Sequence, residues 1–228
     1  MKLVLTCEHG GCNIPGRFAY LFDQAGDILQ SHRGYDMGAL DLFEYLKPLS
    51  EFSKYSETSR LLIELNRSLH HKNLFSEFTK PLSKSDKSEL ILTYYNSYRN
   101  SIEDYISEEI QQGNSILHIS VHSFTPILNN NFRNCDVGLL YAPEKTNESL
   151  FCKTLKTNLT LINPELKVRY NYPYLGTADG FTTYLRKTFK TNYSGIELEV
   201  NQKFVLQNKM PITLKQYIYK ALQACLSR

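Results

Sequence analysis

The sequence has no tryptophan and no Cys-x-x-Cys pair, although five cysteines are scattered along its 228 residues. An odd number of scattered cysteines is typical of reduced thiols, which predicts a cytoplasmic protein without a disulfide framework. No apolar run approaches the roughly 20 residues that span a bilayer. The apolar stretch after Met1 reaches Glu8 and His9 too early for a signal peptide. No membrane partner is therefore expected.

Neither sign of charge dominates. The chain has 26 basic and 23 acidic residues, a net charge of +3, so charge gives no reason to expect a nucleic-acid partner. Hydrophobic residues make up 42% and charged residues 21%, which indicates a folded protein. The length fits one domain, and no linker, repeat or low-complexity tract divides it, so residues 1–228 are predicted to form a single domain.

Short apolar runs alternate with amphipathic stretches along the chain. Strands are predicted at residues 2–7, 60–65, 115–121, 136–142 and 193–200, and helices at 36–46, 83–113, 144–159, 181–189 and 211–226. This order predicts an α/β fold: one three-layer domain with a mixed, largely parallel sheet and helices on both faces. In such sheets a site forms where several strands end.

Polar residues occupy the ends of these predicted strands. They are His9, the pair Asn66-Arg67, His122 and Glu199. Each has an ordinary explanation by itself, such as a loop hydrogen bond or a solvated strand face. Together they are complementary, because imidazoles and carboxylates suit zinc and a guanidinium suits an anion.

Five motifs carry a resemblance to a known family. They are CEHGGCNIP (7–15), SRLLIELNRS (59–68), SVHSFTP (120–126), DVGLLY (136–141) and GIELEVNQ (195–202). In this order they resemble the motifs of the N-formylglutamate amidohydrolase family, up to about residue 204. That family is similar in fold to the zinc carboxypeptidases and aspartoacylases. The resemblance therefore implies a zinc-carboxypeptidase-like, phosphorylase/hydrolase-like domain.

The resemblance implies one zinc ion bound by His9 and His122. The family's third ligand is an aspartate that follows the first motif and opens a helix, and Asp36 matches it. The related carboxypeptidases instead place a glutamate three residues after the first histidine, where this chain has Cys12. Asp36 is therefore favoured, with Glu8 and Cys12 as alternatives.

The implied reaction is zinc-assisted hydrolysis of the amide bond of an N-acyl amino acid, with N-formylglutamate as a candidate substrate. By the resemblance Glu199 is the general base, which moves a proton from water to the leaving amine. Arg60 is expected to stabilise the oxyanion. Asn66 and Arg67 are expected to bind a free carboxylate of the small-molecule substrate.

Two assignments depend on weaker signals. Glu197 shares a strand face with Glu199, so spacing alone does not separate them, and the resemblance selects Glu199. The segment 171–187 is rich in glycine and aromatic residues and is compatible with a substrate loop. Its Tyr174 and Asp179 are candidate substrate contacts, although turn chemistry explains them as well.

Two other functions fit part of the pattern. A metal-dependent phosphoesterase would also combine histidine and aspartate ligands with arginines, but the sequence lacks an Asp-rich two-metal cluster. A non-catalytic carboxylate-binding protein could keep the same fold. The presence of His9, His122 and Glu199 argues against this second alternative.

Overall fold

A six-stranded sheet forms the centre of the protein. The computed structural model describes residues 1–227. Its strands are β1 (Lys2–Cys7), β2 (Phe52–Tyr55), β3 (Ile116–Phe124), β4 (Ile127–Leu128), β5 (Asn131–Phe132), β6 (Val137–Leu140), β7 (Val168–Tyr170) and β8 (Tyr193–Asn201). β4 and β5 form a separate hairpin, and the others form a sheet in the order β2-β1-β3-β8-β6-β7. Neighbouring strands are parallel except that β6 runs antiparallel to β8.

Helices cover both faces of this sheet. They are α1 (Gly26–Leu29), α2 (Ala39–Leu46), α3 (Lys84–Leu90), a π-helical segment (Ile91–Asn96), α4 (Ser97–Gln111), α5 (Thr146–Ile162), α6 (Phe181–Thr188) and α7 (Ile212–Leu226), with 3-10 helices at Gly16–Phe22, Lys47–Leu49 and Gln202–Phe204. α2, α5 and α7 share one apolar core, and α4 and α6 belong to a second core on the other side. The predicted α/β class with three layers is confirmed.

The central strand β3 has two unlike faces, and both are buried. Leu117, Ile119 and Val121 belong to the first apolar core. The alternate residues His118, Ser120 and His122 point to the other face, where all three are 0–2% exposed. The polar side of the strand therefore faces other protein groups, and each of its side chains needs a hydrogen-bond partner.

The prediction of a strand at residues 60–65 is wrong. Residues 59–67 form successive turns, held by hydrogen bonds such as Leu62 N to Ser59 O (2.9 Å) and Glu64 N to Leu74 O (3.0 Å). Leu62, which belongs to the second core, is fully buried all the same. A short apolar run indicates burial, but it does not distinguish a strand from irregular buried backbone. The strand beside β1 is instead β2, a short edge strand without a strong apolar pattern.

The predicted helix over 83–113 is present as α3, the π segment and α4 in direct succession, from Lys84 to Gln111. Strand β3 continues to Phe124, three residues beyond the predicted end. The hairpin β4–β5 and the edge strand β7 are not predicted from the sequence. No helix within residues 1–227 is long and apolar enough to cross a membrane.

Candidate active site

Two histidines and an aspartate meet at the carboxyl ends of β1 and β3. His9 follows β1, His122 lies near the end of β3, and Asp36 precedes α2. Nδ1 of His9 is 3.4 Å from Oδ2 of Asp36, and Nδ1 of His122 is 2.9 Å from the same oxygen. All three residues are nearly fully buried. The parallel strands therefore bring together ligand types that lie far apart in sequence.

The other nitrogen of each imidazole contacts groups outside this cluster. Nε2 of His9 hydrogen-bonds with Glu64. Nε2 of His122 lies 3.3 Å from Oε2 of Glu8 and 2.8 Å from Oγ of Ser120. A carboxylate that accepts a proton at Nε2 fixes the tautomer whose Nδ1 lone pair is free. Both imidazoles are thus oriented with Nδ1 toward Asp36.

The electrostatics of the cluster favour a cation. Burial works to raise the pKa of Asp36, but His9, His122 and Arg60 outweigh it and hold that pKa well below its usual range. Burial likewise works to lower the pKa of His122, while Asp36 and Glu8 raise it well above its usual value. The carboxylates therefore stay ionised, and they surround the two imidazoles with an excess of negative charge.

Glu199 lies beside this cluster on β8 with one oxygen unused. In the β3–β8 register it is the direct partner of His122. Its side chain is buried, and Oε2 has no hydrogen-bond partner within residues 1–227. Burial raises the pKa of Glu199 to about 8; the charge of His122 opposes the rise, and those of Asp36 and Glu197 add to it. A carboxyl group that titrates near neutral pH can exchange a proton with a reacting group.

Glu197 points to the same face of β8 but is held differently. Its Oε1 accepts a hydrogen bond from Oγ1 of Thr182 at 3.0 Å. It lines the pocket next to Glu199 and is more exposed. The two glutamates, which sequence spacing leaves equivalent, thus differ in burial and in their partners.

The cluster opens into a small pocket of about 170 Å³. Its walls are formed by His9, Asp36, Arg60, Asn66, Arg67, His122, Ser123, Tyr174, Leu175, Ala178, Asp179, Glu197 and Glu199. All nine site residues that the sequence suggests therefore lie around one cavity. Its size suits a ligand of about the size of an amino acid rather than a polymer.

Arg67 and Asp179 also line the pocket, and they contact each other. Nη1 of Arg67 donates to the backbone oxygen of Asp179. The carboxylate of Asp179 accepts the backbone N–H of Ser68 at 3.0 Å. One of the five N–H groups of Arg67 is used in the bond to Asp179.

The side-chain oxygen of Asn66 is hydrogen-bonded within the protein. Oδ1 accepts the backbone N–H of Phe181 at 2.7 Å, and Nδ2 lies 3.4 Å from Nε2 of His122. This asparagine therefore connects the start of α6 to the histidine cluster. Tyr174 lies on the rim of the pocket and is 45% exposed.

The comparisons with known proteins agree with this geometry. The family model described as N-formylglutamate amidohydrolase matches residues 1–206, which is most of the chain. The chain belongs to the N-formylglutamate amidohydrolase family. It is therefore a hydrolase that acts on amides. The family predicted from the five motifs is confirmed.

Two solved structures share the fold of this amidohydrolase. A gene product of Agrobacterium tumefaciens aligns with a TM-score of 0.83 at 20% identity, covering 99% of this chain and 90% of that one. An N-formylglutamate amidohydrolase from Ralstonia eutropha aligns with a TM-score of 0.74 at 15% identity, covering 100% and 93%. A metallo-carboxypeptidase from Burkholderia cenocepacia aligns with a TM-score of 0.42 at 9% identity, covering 100% and 57%. No curated protein sequence gives a significant match.

The cluster of this amidohydrolase fits a zinc ion. The three ligand atoms of His9, Asp36 and His122 lie within 4.8 Å of one another. Tetrahedral zinc with bonds of about 2.1 Å places its ligand atoms roughly 3.4 Å apart. The measured separations of 3.4 and 2.9 Å from Asp36 Oδ2 are close to that value. Two imidazole nitrogens and one carboxylate oxygen also form a donor set that zinc enzymes use.

The alternatives for the third ligand lie elsewhere. Cys12 is partly exposed and is not one of the three clustered donors. Glu8 contacts the Nε2 side of His122 and is held by Ser120 and by the hydroxyl of Tyr98 at 3.1 Å. Its place is therefore behind the imidazole, on the side away from Asp36.

Arg60 is bound to the carboxylates of the amidohydrolase cluster. Its Nη1 donates to Oδ1 of Asp36 at 3.1 Å, and Nε and Nη2 donate to Oε2 of Glu64 at 2.8 and 2.6 Å. The side chain is 27% exposed and borders the pocket. Arg60 thus holds the carboxylates of Asp36 and Glu64 in place.

Glu64 contacts the cluster, and it is not among the site residues expected from the sequence. It lies inside the apolar run 60–65, where the strand prediction gives it no task. The signal was available, because a glutamate within a buried apolar run must find a partner. Here the partners are Nε2 of His9 and the guanidinium of Arg60.

Proposed function

We propose that this amidohydrolase cleaves the amide bond of an N-acyl amino acid with a free carboxylate, at a zinc ion bound by His9, Asp36 and His122. N-formylglutamate, which would yield formate and glutamate, is the first candidate substrate. The observation that carries the proposal is the convergence of both Nδ1 atoms on Asp36, next to a buried glutamate with a free oxygen.

The bound zinc would polarise the acyl oxygen and lower the pKa of the attacking water. Glu199 would take a proton from that water as the oxygen attacks the acyl carbon. It would then transfer the proton to the amide nitrogen as the C–N bond breaks, which leaves a carboxylate and a free amine. Its raised pKa, about 8 before a metal adds its charge, supports a role in both directions.

Arg60 and Arg67 would bind the two ends of the substrate. Arg60 borders the cluster, where negative charge develops on the acyl oxygen during attack. Arg67 also lines the pocket and would bind the substrate carboxylate through two parallel N–H groups. Asn66 would act mainly through the hydrogen bond that holds α6. Tyr174 and Asp179 would border the bound amino acid.

The phosphoesterase alternative is less well supported. Among residues 1–227 there is one group of three potential metal ligands, whereas two-metal phosphoesterases need a second set. A binding protein without catalysis would have no use for a buried carboxyl group without a partner, which costs stability.

We also propose a cytosolic location with small-molecule ligands. None of the five cysteines forms a disulfide within residues 1–227, and reduced cysteines are typical of the cytosol. The net charge of +3 is too small to suggest a nucleic-acid partner.

Metal analysis of the purified protein, combined with measurement of amine release, tests this proposal. We expect about one zinc per chain, and release of glutamate from N-formylglutamate or of the amino acid from another N-acyl substrate. A chelator should abolish release, and added zinc should restore it. N-formylated amines without a carboxylate serve as the control and should react poorly. Release that persists in a fully metal-depleted protein would contradict the proposal.

A further inference from the structure

Asn66 and Arg67 lie in a corner of the chain, residues 59–67, that is not part of a strand. Residues 59–67 form turns, so the backbone carbonyl oxygens of this corner lack the partners that a sheet would give them. Two side chains of the helical segment 91–111 make three hydrogen bonds to these oxygens. Nη1 of Arg99 donates to Leu65 O at 3.2 Å and to Arg67 O at 3.0 Å. The hydroxyl of Tyr95 donates to Arg67 O at 2.7 Å.

Arg99 is a buried cation without a carboxylate partner. It is 4% exposed, and it makes no ion pair in the described part of the chain. Its guanidinium carbon lies 4.7 Å from the ring centre of Tyr95, 4.2 Å from that of Phe181 and 4.7 Å from that of Tyr184. Cation–π contacts offset part of the cost of burying the charge. The planar guanidinium can stack on these rings and still donate two hydrogen bonds from Nη1, whereas the ammonium of lysine has no planar face to stack.

The π segment brings Tyr95 and Arg99 to this corner. Leu90 and Tyr95 are both buried although they are five residues apart, which matches the i to i+5 spacing of a π turn. One extra residue rotates the rest of the helix by about 100° relative to a regular α-helix. Without it the two side chains would be turned away from the corner, while α3 kept its packing.

We infer that Arg99 is a positioning residue for substrate binding. It fixes the backbone of Arg67 so that the guanidinium of Arg67 meets the substrate carboxylate. Arg67 O accepts from both Arg99 and Tyr95, while its Nη1 donates to Asp179 O. The side chain is thus held at both ends. Displacement of a positioned group by about 1 Å can cost up to 100-fold in rate or binding. The inference rests on the proposed role of Arg67 in binding the carboxylate.

The test compares two substrates across single and double variants. The substrates are N-formylglutamate and its derivatives in which one carboxylate is a carboxamide. Arg99→Met should raise KM for N-formylglutamate by about tenfold. It should change KM by less than about twofold for the carboxamide that lacks the carboxylate bound by Arg67, and zinc content should not change. In an Arg67→Ala background, Arg99→Met should have almost no further effect, because the two changes remove one interaction.

A milder variant covers the case in which Arg99→Met does not fold. Tyr95→Phe keeps the ring and removes only the hydroxyl that donates to Arg67 O, so it should raise KM in the same substrate-selective way but less. Tyr105→Phe is the matched control, since Tyr105 lies on α4 against Phe52, away from the corner, and it should leave both substrates unaffected.

Three results would overturn the inference. In the first, Arg99→Met raises KM equally for both substrates, and its effect adds to that of Arg67→Ala. This would show that Arg99 only stabilises the fold. In the second, KM is normal in both Tyr95→Phe and Arg99→Met. This would show that the turns at residues 59–67 keep their conformation without these hydrogen bonds. If Arg67→Ala does not discriminate between the substrates, the carboxylate assignment under the proposed function fails and the inference falls with it. Amide hydrolysis and its dependence on zinc have their own measurements, so that part of the proposed function would still be tested.

Discussion

Replacing Glu199 by glutamine removes one charge and keeps the shape of the side chain. The carboxyl group is 5% exposed, and its Oε2 has no hydrogen-bond partner within residues 1–227. If Glu199 moves the proton and does not bind the metal, the variant should keep its zinc. Its turnover should fall by about 100-fold or more, which is the scale of general acid–base catalysis.

The same substitution should stabilise the metal-free protein. Burial raises the pKa of Glu199 from 4.5 to about 8. Between these values the folded protein holds a proton that the unfolded chain has released, so stability present below pH 4.5 is lost as the pH rises to about 8. At about 1.4 kcal/mol per pKa unit, the loss reaches about 3 kcal/mol at pH 7. Glutamine does not ionise, so the variant avoids this loss.

Urea unfolding of chelator-treated proteins at pH 5 and pH 7 measures this effect. The free energy of unfolding of Glu199→Gln should exceed that of the wild type by more at pH 7 than at pH 5. Saturating zinc should reduce this difference, because the metal charge favours the ionised carboxylate in the wild type. Glu197→Gln is the matched control, since Glu197 lies on the same face of β8 and bonds to Thr182. It should show a smaller pH effect and milder loss of turnover. The reasoning is refuted if the metal-free variants behave alike, or if Glu197→Gln is the more damaging change.

Four further predictions concern the site. His122→Ala should abolish zinc binding with the secondary structure retained in circular dichroism, and full zinc occupancy would contradict the assignment. Asp36→Asn should reduce zinc affinity strongly, by about 10-fold or more, while Cys12→Ser should not; the opposite order in a competition titration would exchange the ligands. His118→Gln should leave the zinc content unchanged, because this imidazole hydrogen-bonds with Thr6 and Tyr193. Arg67→Lys should raise KM nearly as much as Arg67→Ala, and the loss should shrink when the substrate carboxylate is an amide; an unchanged KM in Arg67→Lys would mean that no bidentate contact forms.

The parts of the fold that follow from the sequence are those with a regular pattern. β3 and β8 could be predicted because apolar residues alternate with polar ones over several positions, and α7 because its apolar residues recur at helical spacing. β2 could not, since an edge strand of four residues with little apolar content resembles a loop. The strand prediction at 60–65 was wrong because these apolar residues are buried in turns that pack into the core. No local pattern distinguishes a buried strand from buried turns.

The site shows the same division. His9, His122 and Glu199 could be expected near one another because each follows or ends a strand of one sheet. Asp36 precedes a helix, so its place depended on the family resemblance. The contact of Glu64 with His9 joins residues 55 positions apart through irregular backbone. No periodicity encodes such a contact, and only the folded chain shows it.

The two buried faces of β3 give the strand a practical use in protein engineering. Ile119 and Val121 belong to an apolar core, while Ser120 and His122, adjacent to them in sequence, belong to the polar face of the site. Substitutions at the first pair should be detected as changes in melting temperature, and those at the second as changes in reaction rate. Laboratory evolution could therefore randomise the apolar positions for heat tolerance and the polar positions for new substrates in separate libraries. Because neighbouring residues of the strand point to opposite faces, the two libraries would change different properties of the protein.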